Sequence, residues 1–285
     1  MQYKFLVSPW RNEFIEIISK TRRELFMCSP FINIEGVKIL SDAVHTKSSI
    51  EIFLITSFTT KNIVNRITEP AALLELCKQF THIKISSLGK LHAKVYLIDN
   101  EIGIITSANL TSGGLVNNFE YGVLIENKDI ISIIKEDMLK YYSLGNILDK
   151  DLLEKVSKEA DKLYEIRNKT DNLVKNSKLG ELLKKKAETI DVELLKNRIK
   201  EGKTINAIFS DTILYLLKKK GSLSTEEIHP LIQTMHPDIC DNSIDRVING
   251  QHFGKKWKHL VRDAQQSLKK KGLIYLKGGK WHLKS

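Results

Sequence analysis

The sequence predicts an α/β protein built in three parts: a mixed-sheet domain over residues 1–127, a helical linker or dimer-contact region over 128–203, and a smaller α+β domain over 204–285. Three observations carry that expectation. Short β-branched runs alternate with stretches of helical period through the first part. The second is rich in Lys, Glu, Leu and Asp and contains no Pro, and the third ends its helical stretches on Gly and closes with two short apolar runs around Gly278-Gly279. Alternation of this kind stacks helices on a sheet, because each element is apolar on one side and must bury that side against another layer. At 285 residues the chain exceeds the usual size of one domain, so two cores joined by a connection are expected.

In the first part, residues 24–28, 50–56, 83–86, 94–98, 102–106 and 121–126 are aliphatic or β-branched runs of strand length. Residues 11–23, 35–46, 61–79 and 129–142 space their apolar positions at three and four, which predicts helices over a mixed sheet. Thr111-Ser-Gly-Gly-Leu115 reads as a turn whose backbone amides can come close to an anion. In 128–203, Leu152, Leu153, Val156, Ala160, Leu163 and Ile166 recur at helical spacing, so one or two long helices serve there as a spacer or as part of a contact between copies.

The last part opens with a helix over 204–220 closed by Gly221, and Ser224-Thr-Glu-Glu227 starts a second with the residues of a capping box. A third helix over 255–271 ends at Gly272, and two strands follow around Gly278-Gly279. Helices followed by a basic hairpin resemble a winged helix. In the third helix Trp257, Leu260, Val261, Ala264 and Leu268 face the core, which leaves Lys255, Lys256, Lys258, His259, Arg262, Gln265, Gln266 and Lys269 for the outer side. Arginine and glutamine pair with guanine and adenine edges in the major groove, lysine suits phosphates, and Lys277 and Lys280 of the hairpin would meet the DNA backbone. A solvated basic face is the plainer alternative.

The densest chemistry lies in Leu91-His-Ala-Lys-Val-Tyr-Leu-Ile-Asp99, followed by Ser107, Asn109 and Glu120. His92 and Lys94, two apart, project from the same side of a strand, and Ser107 and Asn109 share a side if the next strand runs straight through them. A neutral imidazole can attack phosphorus while a lysine ammonium and an asparagine amide hold the non-bridging oxygens as charge builds on them, and no metal is required for that. Glu120, placed against the other ring nitrogen, would fix the tautomer and stabilise the imidazolium. Asp99 falls on the opposite side of the strand and reads as a structural acceptor near its end.

The pattern His92-x-Lys94-x4-Asp99-x6-Thr106-Ser107-x-Asn109, with Asn118-Phe119-Glu120 after it, resembles the HKD motif of the phospholipase D superfamily over residues 1 to about 127. The family has Gly where this chain has Thr106. The resemblance implies a phospholipase D-like catalytic domain without a cofactor, in which His92, Lys94, Ser107, Asn109 and Glu120 are catalytic and Asp99 is structural. The complete motif occurs once, half of the two-histidine site that the family uses. A homodimer is therefore implied, with one His92 becoming a phosphohistidine and the other protonating the leaving oxygen.

The formal net charge of +11 is uneven: 13 Lys or Arg stand against 12 Asp or Glu in 1–127, 18 against 15 in 128–203, and 14 against 7 in 204–285. A polyanion would thus be held chiefly by the last part. Cys28, Cys77 and Cys240 are odd in number and far apart, which suits a reducing cytoplasm rather than a disulfide framework. The start of the chain has no apolar signal core, and no run reaches the roughly 18–20 apolar residues of a membrane span, so lipid synthesis at a membrane is not expected. Glu126-Asn-Lys128 and Glu201-Gly-Lys203 match the triple of metal-dependent nucleases but lack an acidic partner at a preceding strand end. The expectation is a metal-independent endonuclease on double-stranded DNA, similar to phospholipase D-type restriction enzymes of type II-like action, with room for a methyltransferase counterpart. The alternatives are a nonspecific defence nuclease, a regulatory or repair factor that keeps the scaffold for dimerisation, and a phosphodiesterase of small substrates.

Overall fold

The computed structural model describes residues 3–45, 47–200 and 204–284, with the side chains of 188 and 191–200 left aside. Glu201-Gly-Lys203 and the first two residues lie outside the described residues. The chain forms two compact units, Met1–Asp171 and Asn172–Ser285.

In the first unit, β1 (Tyr3–Val7), β2 (Glu24–Cys28), β3 (Glu51–Thr56), β4 (His82–Ser87), β5 (Val95–Ile98), β6 (Ile102–Thr106), β7 (Tyr121–Ile125) and β8 (Asn146–Ile147) make one sheet in the order β1-β7-β6-β5-β2-β3-β4-β8. β2, β3 and β4 run parallel, and every other pairing is antiparallel. One face buries Leu25, Met27, Ile52, Leu54, Tyr96 and Ile104 under α1 (Arg11–Ile18), α2 (Ile34–Ala43) and α4 (Pro70–Gln79). The other face packs Phe26, Ile55, Val95 and Leu97 against Ile131 and Met138 of α5 (Lys128–Leu144). Alternate residues of one strand thus enter different layers, as the two-residue period of a strand requires.

Four expectations need correction. The helix over 61–79 is split into α3 (Thr60–Val64) and α4, because Pro70 occupies the first turn of the second helix and Arg66 takes a left-handed turn at φ 54°. The helix over 11–23 stops at Ile18, where the chain turns into β2. β1 and β8, absent from the expected strands, close the two edges of the sheet. The boundary at 127 falls inside the first unit, since the second sheet face needs a cover and α5 supplies an apolar stripe for it, Ile131, Ile134, Met138 and Tyr142. Leu153 and Ala160 of α6 (Lys150–Lys175) are buried as well, so much of the expected linker belongs to this layer system.

The second unit contains α7 (Lys178–Lys200), α8 (Ile205–Lys220), β9 (Ser222–Ser224), α9 (Thr225–Met235), β10 (Asp245–Ile248), β11 (Gln251–Lys255), α10 (Lys256–Lys270), β12 (Ile274–Lys277) and β13 (Lys280–Leu283). α8 ends on Gly221 at φ 79°, and α9 opens with the reciprocal Ser224 and Glu227 hydrogen bonds of a capping box. β12, β13 and β9 form an antiparallel sheet, in that order, beside the three helices that enclose Phe209, Ile213, Ile228, Val261, Leu268 and Trp281. The β10/β11 hairpin was not anticipated, although its Asn249-Gly250 turn, at φ 49° and 80°, is a strong hairpin signal. Among the described residues no helix is long and apolar enough to cross a membrane.

Candidate active site

The pairings bring one set of strand ends to a single edge of the first sheet. Cys28 at the end of β2 faces Val95 at the start of β5, Ile105 near the end of β6 pairs with that same Val95, Thr106 pairs with Gly122, and Val7 at the end of β1 pairs with Tyr121. Residues 92–94, 107–109 and 118–120 sit on the connections at this edge, so residues far apart in sequence become neighbours.

His92 and Lys94 lie just ahead of β5 rather than within a strand, and the spacing still places them on one side. The His92 ring is exposed, whereas Lys94 is 7% exposed, and its Nζ stands 3.4 Å from Nδ1 and 3.3 Å from Nε2 of His92 while donating to the His92 carbonyl at 2.8 Å. An ammonium equally far from both ring nitrogens does not select a tautomer. Burial pushes the pKa of Lys94 below its ordinary value, and the nearby Glu120 carboxylate pulls it back. Burial also pushes the Cys28 thiol up to about 12, so beside Lys94 it stands as a neutral apolar wall.

β6 stops at Thr106, and the chain then bends away, so Ser107 and Asn109 do not share a strand face. Ser107 Oγ donates a very short hydrogen bond to Glu120 Oε2 and accepts one from the Tyr121 N–H at 3.1 Å. Asn118 Nδ2 donates to the other Glu120 oxygen at 3.1 Å. Glu120 is thus not against the His92 ring as expected: both its oxygens are taken by the residues that flank it across the β6–β7 connection. Asn109 Oδ1 accepts from the Phe31 N–H at 3.3 Å, which leaves the amide nitrogen for a ligand. The close approach of Gly114 to the Asn109 backbone fixes this bend, since a Cβ there would stand 2.4 Å from the Asn109 carbonyl oxygen.

Asp99 sits at the far end of β5. Its carboxylate accepts from the backbone N–H groups of Arg22, Arg23 and Glu24 at 2.8–2.9 Å, and it turns the chain with Asn100, both at positive φ. Thr106, where the family motif has Gly, donates its hydroxyl to the Tyr121 carbonyl and packs over Gly122, whose missing Cβ leaves the room.

Two supports carry no sequence signal. Ser8 accepts from the Glu120 N–H at 2.7 Å and donates its own N–H to the Glu120 carbonyl at 3.1 Å. Trp10 Nε1 donates to the Gly114 carbonyl at 3.1 Å. Three further histidines, His45, His82 and His282, also precede a lysine by two residues, but none has an aspartate at the motif's spacing. Among the described residues no cluster of three or more His, Cys, Asp or Glu side chains is arranged to hold a metal ion.

In the second unit Lys256, Arg262, Gln266 and Lys269 of α10 are exposed, and Lys258 is half-buried with Nζ 5.7 Å from the Trp257 ring centre. Gln265 is buried at 1% exposure and accepts from Thr225 Oγ1 at 3.4 Å, contrary to its expected outward place. It stands four residues after Val261 and three before Leu268, both in the core, so helical geometry puts it on their face. Lys255 precedes the helix and donates to Asp245 at 2.7 Å, while His259 Nε2 donates to the Phe253 carbonyl at 2.8 Å, so the β10/β11 hairpin occupies both. Lys277 and Lys280 are exposed on the β12/β13 hairpin, with Lys280 3.8 Å from Glu227.

The family model described as cardiolipin synthase, PLD-like domain, matches residues 14–142. The DISARM protein DrmC of Bacillus paralicheniformis is 44% identical over 50 residues, 18% of this chain and 20% of that protein. A cardiolipin synthase of Listeria monocytogenes is 26% identical over 145 residues, 48% of this chain and 30% of that protein. The chain thus spans less than a third of the length of these curated relatives. The phospholipase D family member Nuc from Salmonella typhimurium matches 52% of this chain and 99% of its own at 18% identity, with a TM-score of 0.42. The motif's histidine, lysine and asparagine are gathered at one sheet edge inside the stretch that the PLD-like domain model matches.

Proposed function

We propose that the protein is a DNA endonuclease that hydrolyses phosphodiester bonds through a phosphohistidine, at a site assembled from two copies of the chain. The observation that carries the reading is the exposed His92 ring held beside the buried Lys94 ammonium at 3.3–3.4 Å. A ring nitrogen of His92 forms a bond to phosphorus as the bond to the leaving sugar oxygen breaks, and the second copy's His92 gives that oxygen its proton. Water then attacks the phosphohistidine, passes a proton back to the second imidazole, and releases the phosphate end and the first His92. Lys94 and the Asn109 amide meet the charge on the non-bridging oxygens, the role that a metal ion takes in other nucleases. Glu120, held by Ser107, Asn118 and Ser8, acts on Lys94 by its charge rather than on the histidine by a hydrogen bond.

The basic second unit, with a three-helix and three-stranded-sheet arrangement of winged-helix type, supports duplex DNA as the ligand, read by Arg262 and Gln266 with lysines on phosphates. We place the enzyme among site-specific, restriction-type nucleases, a reading that the short match to DrmC supports. The match to cardiolipin synthase favours a second reading, phosphatidyl transfer between lipids. Incubating the purified protein and its His92→Ala variant with supercoiled plasmid in excess EDTA separates them. Discrete fragments from the wild type alone are expected. Failure to cut DNA, together with His92-dependent turnover of phosphatidylglycerol vesicles, would replace the nuclease by the lipid reading.

A further inference from the structure

The β10/β11 hairpin, inserted between α9 and α10, has no part in the core of its unit: none of residues 245–255 lies in or against the cluster around Phe209, Ile213 and Trp281. A two-stranded hairpin is marginal by itself. This one is held at its root. The Lys256 N–H donates to the Ile244 carbonyl at 3.0 Å, Trp257 Nε1 to Asn242 Oδ1 at 2.9 Å, and His259 Nε2 to the Phe253 carbonyl at 2.8 Å. All three donors belong to the opening residues of α10, so the hairpin is fixed to the end that a recognition helix turns toward base edges.

The strands are open on both faces, and the faces differ. Val247 pairs with His252 and Ile248 with Gln251, and the register shifts between Asp245 and Val247, where Phe253 and Gly254 together oppose Arg246. Gly254 takes φ 86° at this bulge, a conformation open to glycine. On one face Asp245 accepts from Lys255 at 2.7 Å and pairs with His252 at 3.3 Å, so the one carboxylate of the hairpin is already engaged. Alternation puts Arg246, Ile248, Gln251 and Phe253 on the other face. All four are exposed, Ile248 and Phe253 at 45% each, and among the described residues no partner engages the Arg246 or Gln251 side chain.

A free cation and a free amide between apolar groups suit a groove of duplex DNA, where arginine takes guanine, glutamine takes adenine and apolar groups meet thymine methyls. The four residues of β10 span roughly 13 Å at about 3.3 Å each, close to the width of the major groove, which admits a two-stranded ribbon as well as a helix. The excess of 14 basic over 7 acidic side chains in 204–285 draws a polyanion to the same unit.

We propose that the β10/β11 hairpin is a second DNA-reading element, whose Arg246 and Gln251 face contacts base edges beside those read by α10. The proposal rests on the duplex-DNA reading above and adds residues that extend the sequence recognised.

Duplexes with a random central sequence, selected by the full chain and sequenced, test this, with affinity for the enriched duplex measured by fluorescence anisotropy. The wild type should enrich one set of sequences. Arg246→Ala with Gln251→Ala should keep the wild-type Tm, lose base preference at one end of the enriched sequence, and bind that sequence about tenfold or more weakly. Lys158→Ala, an exposed cation of α6, should change neither preference nor affinity. Unchanged preference and affinity in the hairpin variant overturns the proposal and gives the exposed face to a protein partner. An equal loss of affinity on every sequence overturns it too, since Arg246 would then hold phosphate only. A preference that Arg262→Ala alters and the hairpin variant does not removes the hairpin alone. A wild type that enriches no sequence also overturns the proposal, and if Arg262→Ala then leaves binding unchanged, the duplex-DNA reading falls with it.

Discussion

Asp99 and Lys94 belong to one motif and hold opposite ends of β5. Lys94 is at the edge that carries His92, whereas Asp99 spends its carboxylate on the backbone of Arg22, Arg23 and Glu24, tying the turn after β5 to the start of β2. Charge-assisted bonds to backbone N–H groups are worth more than neutral ones, and Asp99→Ala would also put an ordinary side chain at φ 52°. We expect the substitution to lower stability by about 2–4 kcal/mol in thermal unfolding. Cleavage per folded molecule should stay within about twofold of the wild type, because four strand residues at roughly 3.3 Å each separate the acid from the site. A large fall in kcat at unchanged Tm would instead place Asp99 in the chemistry.

At the scale of elements, the bend after β6 decides where the amide of Asn109 goes, and Gly114 decides the bend. Gly114→Ala would set a methyl group 2.4 Å from the Asn109 carbonyl oxygen and 2.6 Å from its nitrogen, so one of the two backbones must move. We expect a loss of about 1–3 kcal/mol of stability, and a fall in kcat of about tenfold or more beyond what unfolding explains. Unchanged kcat in the folded fraction would remove Asn109 from the phosphate site. This bend also marks the limit of what the sequence discloses. The strands of the first unit were legible because β-branched runs of strand length have few other uses, and the His92 and Lys94 pair was legible because two residues apart means one side in any extended chain. The course of residues 107–120 was not, since a connection is shaped by close approaches such as Gly114 on Asn109 and by distant partners such as Ser8 on Glu120, which no local period encodes. β1 and the β10/β11 hairpin are different: Tyr3–Val7 and the Asn249-Gly250 turn carry signals of strand and hairpin in the local sequence. Gln265 lies three and four residues from core neighbours, a spacing that already carries its burial.

For the whole molecule, the charge is unevenly divided. Residues 1–127 are close to neutral, with 13 basic against 12 acidic side chains, so the stretch that holds His92 has little long-range attraction for a polyanion. Residues 204–285 carry 14 against 7, and on α10 Lys258, Arg262, Gln266 and Lys269 share the face away from the core formed by Trp257, Val261 and Ala264. If the first unit does the chemistry and the second holds the duplex, the two activities can be lost one at a time. Arg262→Ala with Lys269→Ala removes two cations from that face and should weaken DNA binding, with the slope of log K against log salt falling by about 0.9 in magnitude for the one phosphate contact, that of Lys269, that is lost. Hydrolysis of bis(p-nitrophenyl) phosphate, a phosphodiester too small to need the second unit, should be unchanged in the same double variant and abolished in His92→Ala. The division of labour is wrong if the small diester is hydrolysed more slowly once the α10 cations are gone, or if DNA affinity and its salt slope survive their removal.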